Sequence, residues 1–322
     1  MSPNTSKTMI KKSAAVYAGL DIAKATLQLH LQDRQHVLPN SAEGHRKLVR
    51  LLRAVPAAQV VCEATGGYER TVVAALHAAA LPVSVLNPAQ VRHFALAQGC
   101  RAKNDPLDAA VLTDCGAALH PKPTPIPNAV LAELRALVQW RNHLKDQLCA
   151  ASNQGEHATL PYVKKQQAKL VKHLSTQMAQ VEAQLTKALA QSPETQTQVQ
   201  RLAQLDGVRT LTAVSVLSQM PELGQLNRGA AAALAGLAPW TRQSGPWEGQ
   251  RHIGGGRAAV RRALYMSAVV LARLTETPLG KFYQRLRAAG KPAKVALTAV
   301  MRKLLLQMNQ ALKPAQDELQ PV

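Results

Sequence analysis

Residues 120–127 read HPKPTPIP, with four prolines at alternate positions. Proline has no backbone N–H and fixes φ near −65°, so the run can be neither helix interior nor central strand. It is expected to be a stiff, extended linker that separates what folds before it from what folds after it. The 322 residues suffice for about two domains. A second shift, polar and proline-punctuated over residues 191–200, comes before the apolar pattern resumes at Leu202. The divisions expected are a folded domain at 14–120, the linker at 121–127, a helical segment at 128–192 and a C-terminal domain at 200–315. No long internal repeat is present.

Before the linker, strand and helix patterns alternate. Residues 16–21 (VYAGLD) form an apolar run ending on an aspartate, and 26–32 (TLQLHLQ) alternate as a half-buried strand does. A helical pattern covers 42–53, and a buried strand at 58–62 leads into Glu63. Helix 68–79, strand 82–86 and helices near 89–98 and 105–118 follow. This is an α/β layer with a mixed sheet.

The acids of this block sit at suggestive places. Asp21 ends the first strand and Glu63 a later one, and catalytic groups of α/β sheets gather at strand carboxyl ends. Asp105 and Asp108, three apart at a helix start, share one helix face. Four converging carboxylates need a counter-charge, and their hard oxygens suit Mg²⁺. Two such ions ~4 Å apart would clamp the attacking and leaving oxygens of a phosphodiester. The plainer alternatives stand beside this. Asp105 before Pro106 is also a fitting helix N-cap, and TGG at 65–67 also a tight turn into a helix.

Charge narrows the partners. The chain carries 39 Lys and Arg against 19 Asp and Glu, a net +20, and residues 201–322 alone hold 17 basic and 6 acidic side chains. Twelve of those 17 are arginines, whose fork suits phosphate better than a lysine point charge. A polyanion, nucleic acid before anionic membrane, is the expected partner. Aromatics at 3% argue against rows of base-stacking platforms. No run approaches the ~20 apolar residues of a membrane helix, and the N-terminal sequence lacks a signal peptide's apolar core. Cys62, Cys100, Cys115 and Cys149 form no Cys-x-x-Cys pair, so neither a disulfide framework nor a zinc site is expected, and a reducing cytoplasm is.

After the linker, Val130, Leu137 and Leu144 recur every seven residues, as do Leu134, Arg141 and Leu148. Past a break near 152–161, Val171, Met178, Leu185 and Leu174, Val181, Ala188 do the same. These seams either close on each other as a hairpin or form a dimerising coiled coil. Arg141 is then a register marker or turns outward. Leu205, Gly207, Val208, Leu211 and Ala213 resemble a helix-hairpin-helix, with Arg209 replacing its usual second glycine; a plain packing unit is the alternative. Residues 240–262 gather Trp240, Trp247, glycines, and Arg242, Arg251, Arg257, Arg261 and Arg262 around a single acid, Glu248. A glycine-rich basic loop running into an arginine-studded helix suits close approach to phosphate. It does not have the length or the Gly-Lys-Ser/Thr ending of a nucleotide P-loop. Ser244 lies in this loop beside Gly245.

The segments YAGLDIAKATLQLHL, VVCEATGGYERTVVAAL, PVSVLNPAQVRHFA and AQGCRAKNDPLDAAVL resemble the four-carboxylate (DEDD) transposases of bacterial insertion sequences. These are relatives of Piv-type DNA invertases and have an RNase H-like (RuvC-like) fold similar to Holliday-junction resolvases. The stretch LAGLAPWTRQSGPWEGQRHIGGGRAAVRRALYMSAVVLA resembles their C-terminal domain. The resemblance covers roughly residues 16–118 and 202–312, in the expected order. It implies an RNase H-like catalytic domain, a helical coiled-coil segment and a mainly helical C-terminal transposase domain. It implies Asp21, Glu63, Asp105 and Asp108 as metal ligands for Mg²⁺, two ions with Mn²⁺ able to substitute, and Ser244 as the DNA nucleophile meeting them, across subunits. It also implies donor and target DNA, a structured guide ("bridge") RNA, a homo-oligomer from dimer to tetramer, and a place in the bacterial cytoplasm at the nucleoid. Arg209, Arg242, Arg251, Arg257, Arg261 and Arg262 are the expected nucleic-acid contacts.

Three other readings stay open at this point. One is a metal-dependent junction nuclease in which water attacks and Ser244 is a spectator. The second is a sugar kinase or actin-like ATPase using the glycines near Asp21 and at 66–67. The third is a nucleic-acid scaffold without catalysis.

Overall fold

The computed structural model describes residues 16–100, 105–126, 128–241, 243–244, 247–249 and 251–313. Its contacts divide into two units, 1–126 and 127–322.

The first unit is a five-stranded mixed sheet in the order β3-β2-β1-β4-β5. β1 (Val16–Ile22), β2 (Thr26–Leu31) and β3 (Arg34–Pro39) form an antiparallel meander, and β4 (Ala58–Glu63) and β5 (Val83–Leu86) add in parallel to β1. That order and direction make an RNase H-like fold. Alternation decides the faces. Ala18, Leu20, Ile22, Leu27, Leu29, Val60 and Cys62 are buried under α1 (Ala42–Arg53) and α2 (Glu69–Ala78). Tyr17 and Val61 pack on the opposite face with α3 (Pro88–Ala97) and α4 (Asp105–Leu119).

β3 has no counterpart in the sequence pattern. Its residues RQHVLP are largely exposed, as an edge strand's are, so no apolar alternation announces it. The turn into it is Gln32–Asp33, both at positive φ (49° and 59°), a two-residue hairpin made without glycine. Residues 121–126 of the proline run dock along the sheet edge. Thr124, flanked by prolines, donates its N–H to the Val83 carbonyl at 2.8 Å, and its Oγ1 accepts from Val85 N at 2.9 Å. Buried Ser84 donates to the Lys122 carbonyl at 2.9 Å.

The second unit is helical except for a small ribbon. α5 (Ala129–Glu156) and α6 (Pro161–Ala190) form an antiparallel hairpin whose seams face each other through Leu144, Ala151, Leu174 and Val181. Arg141, 15% exposed, crosses the hairpin to Glu182 at 2.9 Å and so marks its register. The polar stretch at 191–200 is not a break: Ser192 caps α7 (Pro193–Ala203), which buries Thr195, Val199 and Leu202. α8 (Thr210–Gln219), α9 (Arg228–Leu234), α10 (Ala258–Arg273), α11 (Pro278–Ala288) and α12 (Ala293–Ala311) complete it. One apolar core runs from Leu134 and Leu185 at the base of the hairpin through Val216, Leu264 and Leu304. Among the described residues no helix is long and apolar enough to cross a membrane.

Candidate active site

In the first unit, Leu20 of β1 pairs with Cys62 of the parallel β4. Asp21 and Glu63 each come one residue later, so they stand side by side at the carboxyl edge. The alternation that buries Leu20 and Cys62 under α1 and α2 turns both acids to the α4 face, where each is half-buried.

Small residues govern how α4 crosses this face. A Cβ on Gly19 would lie 1.9 Å from the Ala109 carbonyl oxygen, and one on Gly116 would lie 2.7 Å from the Tyr17 ring. Thr113 bolts the crossing: its Oγ1 accepts the Gly19 N–H at 2.9 Å and meets His30 Nδ1 at 2.9 Å. As β1 advances from Tyr17 to Gly19, the helix residue opposite falls from Gly116 to the 109–113 turn. Two residues further on, at Asp21, the opposing turn is therefore the first one of α4, which carries Asp105 and Asp108. Asp108 is half-buried on the row of Leu112 and Cys115, the row packed with Val61 of β4. Asp105 opens α4, and its side chain lies outside the described residues.

Gln28 completes the face. It is the cross-strand partner of Asp21, and its Oε1 is buried with no hydrogen-bond partner among the described residues. The donors at this edge are thus carboxylate and amide oxygens, a set that fits Mg²⁺ or Mn²⁺ rather than zinc. Among the described residues, no three His, Cys, Asp or Glu side chains already lie close enough to hold a metal.

The 65–67 turn is committed elsewhere. Glu69 Oε2 accepts from Thr65 N at 3.1 Å, Thr65 Oγ1 at 3.0 Å and Gly67 N at 2.8 Å. Burial raises the Glu69 pKa, but these bonds and that from its own amide outweigh it and hold the carboxyl below the usual range. A carboxylate already fills the donors a phosphate would need, so the turn is not a nucleotide cradle.

In the second unit the glycine-rich segment is a nested antiparallel ribbon and not a plain loop. Pro239–Trp240 (β6) pairs with His252–Ile253 (β9), and Gln243–Ser244 (β7) with Trp247–Glu248 (β8). Ser244 pairs with Trp247. Trp240 is 62% exposed at the ribbon's base.

The six candidate arginines separate by what they already hold. Arg257 grips Glu222 and the Gln219 carbonyl, and Arg261 donates to the carbonyls of Ala235 and Gly255 at 3.0 and 2.6 Å. Both brace the segment around the ribbon through bonds within the protein. Arg209 and Arg251 are exposed, Arg262 forms an exposed pair with Asp146, and Arg242 lies outside the described residues. A groove of about 700 Å³ opens beside the ribbon base, with Lys145 and Arg262 together with the exposed Tyr265 and Met266. The signals missed in the sequence are a glycine inside a strand, Gly19, and small residues at helical spacing, Ala109, Thr113 and Gly116. Both mark close backbone approach.

Comparison with known proteins places the chain in a family. Residues 18–163 match the DEDD transposase family of the IS110 type, and residues 199–284 match the transposase IS116/IS110/IS902 family. The pilin gene-inverting protein of Moraxella bovis is 29% identical over 300 residues, 90% of this chain and 93% of that protein. Its counterpart from Moraxella lacunata is similar to the same extent. T. thermophilus RuvC, solved in complex with a Holliday junction substrate, aligns at 18% identity and a TM-score of 0.28, over 34% of this chain and 99% of that one. With both halves matched in order, the chain belongs to the IS116/IS110/IS902 family of transposases.

Proposed function

We propose that this transposase cuts and rejoins DNA through a serine-linked intermediate, with Asp21, Glu63, Asp105 and Asp108 as cation-binding carboxylates and Ser244 as nucleophile. The observation that carries the reading is the placing of Asp21 beside Glu63, on the face whose covering helix opens with Asp105 and Asp108. Bound divalent cations, two Mg²⁺ or Mn²⁺, supply charge stabilisation to the attacking and leaving oxygens of a phosphodiester.

The chain's own groups carry the bond changes. Ser244 Oγ loses its proton and attacks phosphorus. The Oγ–P bond forms as the P–O3′ bond breaks, and the departing 3′ oxygen takes a proton. A phosphodiester replaces a phosphodiester, so a 3′-hydroxyl of the new partner reverses the step without ATP. Exposed Arg251, Arg209 and Arg262 hold backbone phosphates through their guanidinium forks. The name gene-inverting belongs to the Moraxella relatives, and we carry DNA rearrangement from it to this chain. Donor and target must be held together, which favours a homo-oligomer, and the net charge of +20 leaves capacity for a guide RNA beside the DNA.

The test is incubation of protein, flanking RNA and a labelled donor–target pair with Mg²⁺, followed by denaturing electrophoresis. A DNA-linked protein band is expected in wild type and absent in Ser244→Ala and Asp21→Asn. Cleavage with no linked band, unchanged in Ser244→Ala, would replace this reading with hydrolysis by water.

A further inference from the structure

We infer that Gln28 is an additional oxygen ligand of the cation site, through its Oε1 directly or through one water. The inference rests on reading the acidic edge as that site.

β2 alternates strictly. Leu27, Leu29 and Leu31 are buried under α1 and α2, so Gln28 and His30 occupy the face of Asp21 and Glu63. Each has a different fate there. His30 meets Thr113 Oγ1 at 2.9 Å, on the bolt that holds α4. Gln28 stands directly across from Asp21, a pairing that brings Cβ atoms to about 5 Å. Its Oε1 is shut off from solvent and has no hydrogen-bond partner among the described residues.

An unsatisfied buried amide oxygen is costly and rare. Its neighbour across the ladder cannot relieve it, because an ionised carboxylate is an acceptor only, as is the amide oxygen itself. The group that satisfies the Gln28 oxygen beside a carboxylate is positive or carries protons: a cation, or a water held by one. A neutral oxygen added to carboxylates suits Mg²⁺ and Mn²⁺, which take carbonyl and amide oxygens and keep several waters. Gln28 also comes from β2, whereas the four acids come from β1, β4 and α4.

The competing role is structural: with the amide turned over, Nε2 donates to Asp21 and holds the carboxylate in place. Two readouts on the full-length protein separate them, Mn²⁺ affinity from the free-ion EPR signal and the melting temperature without metal. The inference expects Gln28→Leu to bind Mn²⁺ about tenfold more weakly than wild type. It also expects an unchanged or raised metal-free melting temperature, since the orphaned oxygen is gone. Gln28→Glu, with an ionised oxygen at the same place, should bind at least as tightly as wild type. Wild-type affinity in Gln28→Leu overturns the inference, as does a weakened affinity accompanied by a lowered metal-free melting temperature. Asp21→Asn is the control. If wild type binds Mn²⁺ and Asp21→Asn does not, failure of Gln28→Leu to weaken binding sinks the Gln28 role alone. If wild type itself binds no Mn²⁺, the reading of the acidic edge falls and this inference with it.

Discussion

Arg257 closes on Glu222 with both arms of its guanidinium, Nη1 to Oε2 and Nη2 to Oε1, each at 2.7 Å. Nη1 also donates to the Gln219 carbonyl at 2.7 Å, at the end of α8. The fork ties the residue that starts α10, just past the ribbon, to the turn between α8 and α9. Burial raises the Glu222 pKa, but the Arg257 bonds and charge outweigh it, so the carboxyl sits below its ordinary 4.5.

Glu222→Gln should therefore lower stability by about 1–2 kcal/mol at pH 7, an allowance that includes partial exposure. A depressed carboxylate contributes stability that is full above its unfolded pKa and is lost as pH falls through the folded one. The gap between wild type and Glu222→Gln in thermal melts should hold from pH 7 to about 5 and close as pH drops below 4.5. A gap that stayed constant down to pH 3 would show that the ion pair contributes nothing.

Gly19→Ala should be among the most damaging small substitutions in the first unit. Its Cβ meets backbone, the Ala109 carbonyl at 1.9 Å and Thr113 N at 2.7 Å, so α4 must move. The expected cost is about 1–3 kcal/mol. Because α4 carries Asp105 and Asp108, Mn²⁺ binding should fall further than the melting temperature alone explains. Gly254→Ala, where a Cβ has open space, is the comparison.

Arg251→Ala and Arg262→Ala should weaken DNA binding without changing the melt, and each should reduce the salt slope by about one, the share of a single phosphate. Arg261→Ala should instead lower the melting temperature, because the carbonyls of Ala235 and Gly255 lose their donor. Titration of DNA at several salt concentrations, beside thermal melts, separates the two groups.

Thiol reactivity should split evenly. Cys62 is buried, and burial, then Glu69 and Glu63, push its pKa up to about 12. Cys115 is buried also, whereas Cys100 and Cys149 are exposed. A disulfide reagent at pH 8 should modify two thiols in the native protein and four in denaturant.

The elements that the sequence makes legible are those with a strong period. β1, β2, β4 and β5 alternate or run apolar between turn residues, and the helices of the first unit and the long α5 and α6 show a helical pattern, so their places can be read directly; α7 is hidden by its polar, proline-punctuated start. β3 is hidden because an exposed edge strand needs no apolar face. The 239–253 ribbon is hidden because each of its strands is two residues long, too short for any period. Composition shows that arginines crowd around residues 242–262, but not that Arg257 already has Glu222. Asp21 and Glu63 stand out as acids at strand ends in a basic chain. What brings α4 down beside them, the Gly19 gap and the Thr113 bolt, depends on a hydrogen bond across 94 residues that no local pattern contains.

The order of synthesis gives the placement of α4 a consequence of its own. The five strands are all made by residue 86, but the helix that covers the acidic face begins only at Asp105 and ends at Leu119. A chain truncated before residue 105 keeps every strand of the sheet, Asp21 and Glu63 included, but carries neither helical carboxylate. Any chemistry needing both sets is thus withheld from unfinished or prematurely terminated chains.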